Sequence, residues 1–192
     1  MIEGSTHFDE NNAVFKTLRK ITKRLSETEI PYAVVGGMAM FRHGYRRFTE
    51  DIDILVTKDG LARIHGELVG LGYRPAHAGS KHFRDAETGV RIEFLTTGDY
   101  PGDGKPKPVN FPDPAEVGIE IEGMPIVSLE KLIELKLASG MSNASRLKDL
   151  ADVVEMIKAR SLPRDFGERL DASVRGKFDE LWDAANSDGS ED

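Results

Sequence analysis

The chain has 192 residues, 39% hydrophobic and 31% charged, the make-up of a globular protein large enough to bury one core without disulfides or structural metals. Lys and Arg number 26 against 33 Asp and Glu, a net charge of -7, which excludes an indiscriminate nucleic-acid binder. The absence of cysteine excludes disulfide scaffolds, thiol catalysis and cysteine-ligated zinc.

In chain order, Val14, Leu18, Ile21 and Leu25 recur at helical spacing and predict an amphipathic helix over residues 10–28, ended by Pro31. Residues 32–36 (YAVVG) read as a buried strand stopped by Gly36-Gly37, residues 38–43 as a short helix, and residues 52–56 as a second strand. Leu61, Ile64, Leu68 and Leu71 predict a helix closed by Gly72. Residues 81–85 and 90–95 suggest a strand pair around a turn. Five of the nine prolines fall between 101 and 114, which predicts a loop. A strand pair over 118–122 and 125–127 follows, then a helix N-capped by Ser128. A helix over 144–160 turns Leu147, Leu150, Val153, Val154 and Ile157 inward, and a last one runs from Pro163 to about Trp182. Strands and helices mix through residue 127 and only helices follow. The expectation is an α+β fold with a mixed sheet in a core of residues 1–127, a helical part over 128–186 and a frayed acidic tail over 187–192. No apolar run approaches the ~18 residues of a membrane span, and the polar, acidic start (MIEGSTHFDE) is unlike a signal peptide. A cytoplasmic chain with no membrane partner is expected.

Charge is segregated along the chain. Residues 11–49 hold eight Lys and Arg against two acids, a basic stretch in an acidic protein and a hint of an anionic ligand. Within it lies the informative run, residues 34–56 (VVGGMAMFRHGYRRFTEDIDILV). Two glycines between a strand and a helix let backbone approach a ligand closely; a phosphate is one occupant and a plain turn the alternative. Asp51 and Asp53, two apart on a strand, project to one face while Ile52, Ile54 and Val56 project to the other. Adjacent carboxylates repel unless exposed or compensated, and Mg²⁺ compensates them with oxygen ligands while keeping positions for water and substrate phosphates. Glu93, an isolated acid in VRIEFL, joins them if its strand neighbours 52–56; otherwise Arg91 is its obvious ion-pair partner.

The Gly36-Gly37 turn followed by Asp51-Ile52-Asp53 resembles the hallmark of the DNA polymerase β-type nucleotidyltransferase superfamily. The run Arg47-Phe48-Thr49-Glu50-Asp51-Ile52-Asp53, with residues 128–136 (SLEKLIELK) and 146–152 (RLKDLAD), is similar to minimal bacterial nucleotidyltransferases and AbiEii-type abortive-infection toxins. The resemblance implies a nucleotidyltransferase fold and transfer of a nucleoside monophosphate from an NTP to a hydroxyl of RNA or tRNA, a protein or a small molecule. It implies Mg²⁺ or Mn²⁺ held by Asp51, Asp53 and Glu93, with Glu93 as general base the alternative. Gly36 and Gly37 would cradle phosphates, Thr49 would hydrogen-bond near the carboxylates or pack beside the strand, Arg47 would contact phosphate or counter the carboxylates, a structural ion pair being its alternative, and Lys136 matches a helical lysine that reaches the phosphates, a snorkelling surface lysine being the alternative. An antitoxin protein would be a further partner. Two departures stand out: Glu93 where Asp is usual, and Gly37 where many relatives have Ser. Arg146, Asp149 and Asp152 read as ion pairs within their own helix. An Asp-x-Asp glycosyltransferase is disfavoured, because such enzymes place a longer domain before the motif. An inactive nucleotide-binding regulator of the same fold is the other reading, and RNA binding by the basic face of residues 16–24 an accessory one.

Overall fold

A computed structural model describes residues 12–187. The N-terminal segment MIEGSTHFDEN and the tail past Ser187 lie outside the described residues. The chain divides into two compact units. The first holds the described residues up to Arg42, with Arg46–Thr97 and Pro112–Val127; the second holds His43–Tyr45, Gly98–Phe111 and the chain from Ser128.

The first unit is a seven-stranded mixed sheet with helices. Helix α1 (Ala13–Glu27) starts at Asn12, whose side-chain oxygen accepts from the backbone N–H groups of Val14 and Phe15 at 3.0 and 3.1 Å. Its buried stripe begins at Phe15 rather than Val14 and continues through Leu18, Ile21 and Leu25. Strand β1 (Tyr32–Val35) is buried throughout and passes directly into α2 (Gly36–Arg42). Strand β2 (Asp51–Val56) leads to α3 (Lys58–Leu68), capped by the Thr57 hydroxyl, which accepts from Gly60 N–H at 2.9 Å. Strands β3 (Tyr73–Pro75), β4 (His82–Asp85) and β5 (Arg91–Thr96) follow, then α4 (Pro114–Val117), β6 (Gly118–Ile121) and β7 (Met124–Val127). The sheet order is β3-β4-β5-β2-β1-β7-β6. The β2–β5 and β1–β7 pairs are parallel and the others antiparallel.

Three features depart from the sequence expectation. Helix α3 ends at Leu68, and Gly72 lies beyond it with φ 97°, in the approach to β3. Strand β3 was not expected, because three residues including a proline carry little signal; Pro75 is tolerated because β3 is an edge strand. Proline-rich residues 112–114 pass into a helix, with Pro114 at its first turn and Asp113 as cap.

One sheet face is the core. Ile52, Ile54, Ile92, Phe94 and Phe83 are at most 2% exposed on it. Phe83 meets Phe94 edge-on at 5.2 Å between ring centroids and meets His65 of α3 at 5.0 Å. At its border Lys20 of α1 pairs with buried Asp85 at 2.9 Å.

The second unit is helical, with α5 (Leu129–Gly140), α6 (Leu147–Arg160) and α7 (Ala172–Ser187). Ser128 caps α5 by accepting from Lys131 N–H at 3.3 Å. Short 3₁₀ turns precede α6 (Ala144–Arg146) and α7 (Arg164–Arg169). A Cβ on Gly140 would lie 2.6 Å from the Leu150 side chain, so α5 and α6 touch where residue 140 has none. Leu147, expected inward, is 61% exposed: it sits at the first position of α6, ahead of the packed stretch Val153–Ile157. The last helix continues past Trp182 to Ser187. Residues 98–111 are closed at their base by Gly98 N–H to Phe111 C=O and Phe111 N–H to Asp99 C=O, both 2.8 Å. No described helix is long and apolar enough to cross a membrane.

Phe94→Ala removes a ring that is 1% exposed and is expected to lower the unfolding free energy by about 3–5 kcal/mol in urea titrations.

Candidate active site

The other face of the sheet gathers the charged residues. Asp51 and Asp53 are half-buried and alternate with fully buried Ile52 and Ile54. Val35 lies opposite Asp53 in the antiparallel β1–β2 pair, so the chain leaves β1 beside that carboxylate. Gly36 makes this turn with φ 62°, and a Cβ there would fall 1.9 Å from an Asp53 carboxylate oxygen. Conformation and space both require glycine. The neighbouring contact repeats the pattern: a Cβ on Gly37 would lie 2.9 Å from the Thr49 Cβ and hydroxyl. The Thr49 hydroxyl is 3.1 Å from both the carbonyl and a carboxylate oxygen of Asp51 and donates to them. Each glycine is therefore shaped around one acid, Gly36 directly and Gly37 through Thr49.

Glu93 stands directly opposite Asp53 in the parallel β2–β5 pair, on the same face. The neighbouring strand the sequence reading required is thus β2 itself. The expected Arg91 partner is replaced by His82, whose Nδ1 lies 3.9 Å from the Glu93 carboxylate. The reason is register: His82 sits opposite Glu93 in the β4–β5 pair, whereas Arg91 sits opposite Asp51. Sequence reasoning missed His82; alternation through His82 and Arg84 was its only trace. Arg47 lies half-buried in the irregular stretch before β2.

The donor set can hold a hard cation. Two same-face carboxylates suit Mg²⁺, which takes one or two of them and completes its shell with water and phosphate. Among the described residues no group of three or more His, Asp or Glu side chains is arranged as a metal site.

Lys136 belongs to the helical unit. It is buried, with its ammonium 2.9 Å from Asp149 and 2.7 Å from Asp152, and Ser139 donates to Asp149 at 2.7 Å. The two acids of α6 therefore close on a lysine of α5, where pairing with Arg146 on their own helix was expected. Burial pushes the Asp149 carboxyl up, but the Lys136 charge and the hydrogen bonds from Ser139 and Lys136 outweigh it and hold it below the ordinary carboxylate range.

A family model described as an uncharacterised nucleotidyltransferase matches residues 5–176. No curated protein matches the chain. Among solved structures, ANT(2")-Ia in complex with adenylyl-2"-tobramycin is 16% identical, with 90% of this chain and 97% of that chain covered and a TM-score of 0.53. An antigenic nucleotidyltransferase-like protein from Paracoccidioides brasiliensis is 16% identical, with 90% and 88% covered and a TM-score of 0.55. A candidate nucleotidyltransferase from Thermotoga maritima is 21% identical, with 71% and 91% covered and a TM-score of 0.50. At these identities the shared property is the fold.

Two outcomes are expected. Gly36→Ala lowers stability by about 2–5 kcal/mol through positive φ and overlap with Asp53, whereas Gly66→Ala, in α3 with open space around its Cβ position, raises it by about 0.5–1 kcal/mol; thermal unfolding compares them. Because the folded Asp149 carboxyl is depressed, the unfolded chain binds its proton first as pH falls. The stability this group contributes is complete above its unfolded pKa of about 3.9 and is lost as pH drops through the lower folded value. The gap between wild type and Asp149→Asn in urea unfolding therefore narrows on acidification.

Proposed function

Because the chain belongs to the uncharacterised nucleotidyltransferase family, we propose that it transfers a nucleoside monophosphate from an NTP to a hydroxyl, using Asp51, Asp53 and Glu93. The observation that carries this reading is the fit of Gly36 around the Asp53 carboxylate, with Glu93 directly across the strand pair. Bare backbone, an acid pair and a third acid are thereby placed side by side, as phosphoryl transfer requires: it depends on positioning and charge compensation more than on covalent chemistry. When bound, a Mg²⁺ or Mn²⁺ ion on Asp51 and Asp53 would supply charge neutralisation for the triphosphate.

The chain's own residues do the rest. Gly36 and Gly37 bring the turn backbone up against Asp53 and Thr49, and its N–H groups are assigned to the phosphates beside those side chains. Thr49 orients Asp51 through its hydroxyl, and Arg47, just ahead of it, is assigned to the phosphates. Glu93 takes the acceptor's hydroxyl proton as that oxygen bonds to the α-phosphorus; the α–β anhydride bond breaks and pyrophosphate leaves. His82 steadies the Glu93 carboxylate from the next strand. Lys136, committed to Asp149 and Asp152, is assigned to holding α5 and α6 together rather than to phosphate.

The test is label transfer from each α-labelled NTP, with Mg²⁺ or Mn²⁺, to bulk tRNA, to the protein itself and to an aminoglycoside panel. Asp53→Asn is expected to reduce transfer by about 10²-fold or more. Failure to bind any NTP in calorimetry with metal present overturns the reading. Binding without transfer favours the second reading, a nucleotide-binding regulator of the same fold, to which Glu93 in place of the usual Asp points. A toxin role, with a cognate antitoxin, rests on the motif resemblance; it requires wild-type expression, and not Asp53→Asn expression, to arrest growth.

A further inference from the structure

The sheet face that carries the acids carries an opposite pattern beside them. The cross-strand row through Asp51 continues outward as Arg91, Arg84 and Arg74, each directly opposite the next on β5, β4 and β3. Neighbouring strands are ~4.8 Å apart, so the three arginine positions extend over about 10 Å, starting one strand from Asp51. All three side chains are exposed. Among the described residues Arg74 and Arg91 make no hydrogen bond or ion pair, and Arg84 donates only to the Gly89 carbonyl, at 2.9 Å. Elsewhere on this unit Lys16, Lys23, Arg24 and Arg63 each have an acidic partner. The three arginines also flank an open hollow of about 490 Å³, together with His82. Its one acid, Asp85, is buried and bound to Lys20 on the core side. Like charges set directly opposite across strands cost stability, and a bound anion relieves that cost.

We propose that this stripe is the acceptor site and that the acceptor is a single-stranded nucleic-acid end, its phosphates held by Arg74, Arg84 and Arg91 and its terminal hydroxyl delivered to Glu93. The inference rests on the transferase reading above and adds the acceptor's chemistry to it. The two substrates enter from opposite sides of β2. Gly36-Gly37 lies on the β1 side of Asp53, where the NTP phosphates sit; Glu93 lies on the β5 side, and the arginines continue away from it. Three cations in line match successive phosphates of one strand better than a single phosphate. They repel a polyamine such as tobramycin, the molecule joined to adenylyl in the ANT(2")-Ia structure.

The test is binding of a fluorescent single-stranded RNA oligonucleotide by anisotropy, without NTP, across a salt series. Wild type is expected to show a log–log salt slope of about -2, at about -0.7 per phosphate contact, and each Arg→Gln change to remove about 0.7 of it. The triple variant Arg74→Gln/Arg84→Gln/Arg91→Gln is expected to lose about 10-fold or more in affinity while its melting temperature does not fall, the repulsion along the row being removed, and its NTP affinity in calorimetry stays unchanged. Equal oligonucleotide binding by wild type and triple variant overturns the proposal. So does arginine-dependent binding of a hexose phosphate with none of the oligonucleotide, or transfer to tobramycin in preference to RNA. Failure of the transferase reading is separate: it shows as absent NTP binding while the arginine dependence of RNA binding persists, which still supports the stripe.

Discussion

No side chain fits at residue 36, and the geometry of the candidate site follows from that. The volume a Cβ would take is filled by the Asp53 carboxylate, and the backbone adopts a φ that only glycine holds without strain. The antiparallel register between β1 and β2 sets this contact, because it places Val35, the last residue of β1, opposite Asp53. Gly37 against Thr49, and Thr49 against Asp51, repeat the relation one step further along. A strand, its neighbour and the turn between β1 and α2 are thus locked by two residues defined by what they lack. The buried partners Ile52 and Ile54 hold the same strand from behind, so the acids stand on a rigid element.

Electrostatics on the sheet are ordered by cross-strand rows. One row runs His82, Glu93, Asp53, Val35, and the next runs Arg74, Arg84, Arg91, Asp51. A net charge of -7 conceals this arrangement. Acids occupy the middle of the sheet, where β2 and β5 meet, and cations occupy the three strands toward one edge. The charge arithmetic that excludes indiscriminate polyanion binding leaves room for a local row of cations.

Much of this was legible in the sequence, for identifiable reasons. Alternation around Asp51 and Asp53 assigns both to one face, because strand periodicity is local. Gly36-Gly37 announces a turn for the same reason. Glu93 could be nominated but not placed, since which strand lies beside β2 is a matter of topology. The same limit hid His82 as its partner, and hid the alignment of Arg74, Arg84 and Arg91, which are spread over three strands separated by turns. Strand β3 was unreadable because an edge strand needs only three residues and tolerates Pro75. Lys136 carried a family likeness along a helix, but pairing with Asp149 and Asp152 depends on how α5 meets α6, which Gly140 permits and no local pattern reveals.

The parallel pairing of β2 with β5 also ties chemistry to folding order. Everything from Thr57 to Val90 must be traversed before Asp53 and Glu93 can meet, so their juxtaposition is a non-local event that follows loop closure. Parallel neighbours need such a crossover, here containing α3, β3 and β4. A slip of β5 by one residue would set Ile92 or Phe94 beside Asp53 and turn Glu93 toward the core. That misfolded chain would lose its apolar layer and its third acid together. The register that buries Phe94 is the one that delivers Glu93, so the hydrophobic core acts as the proofreader of the site.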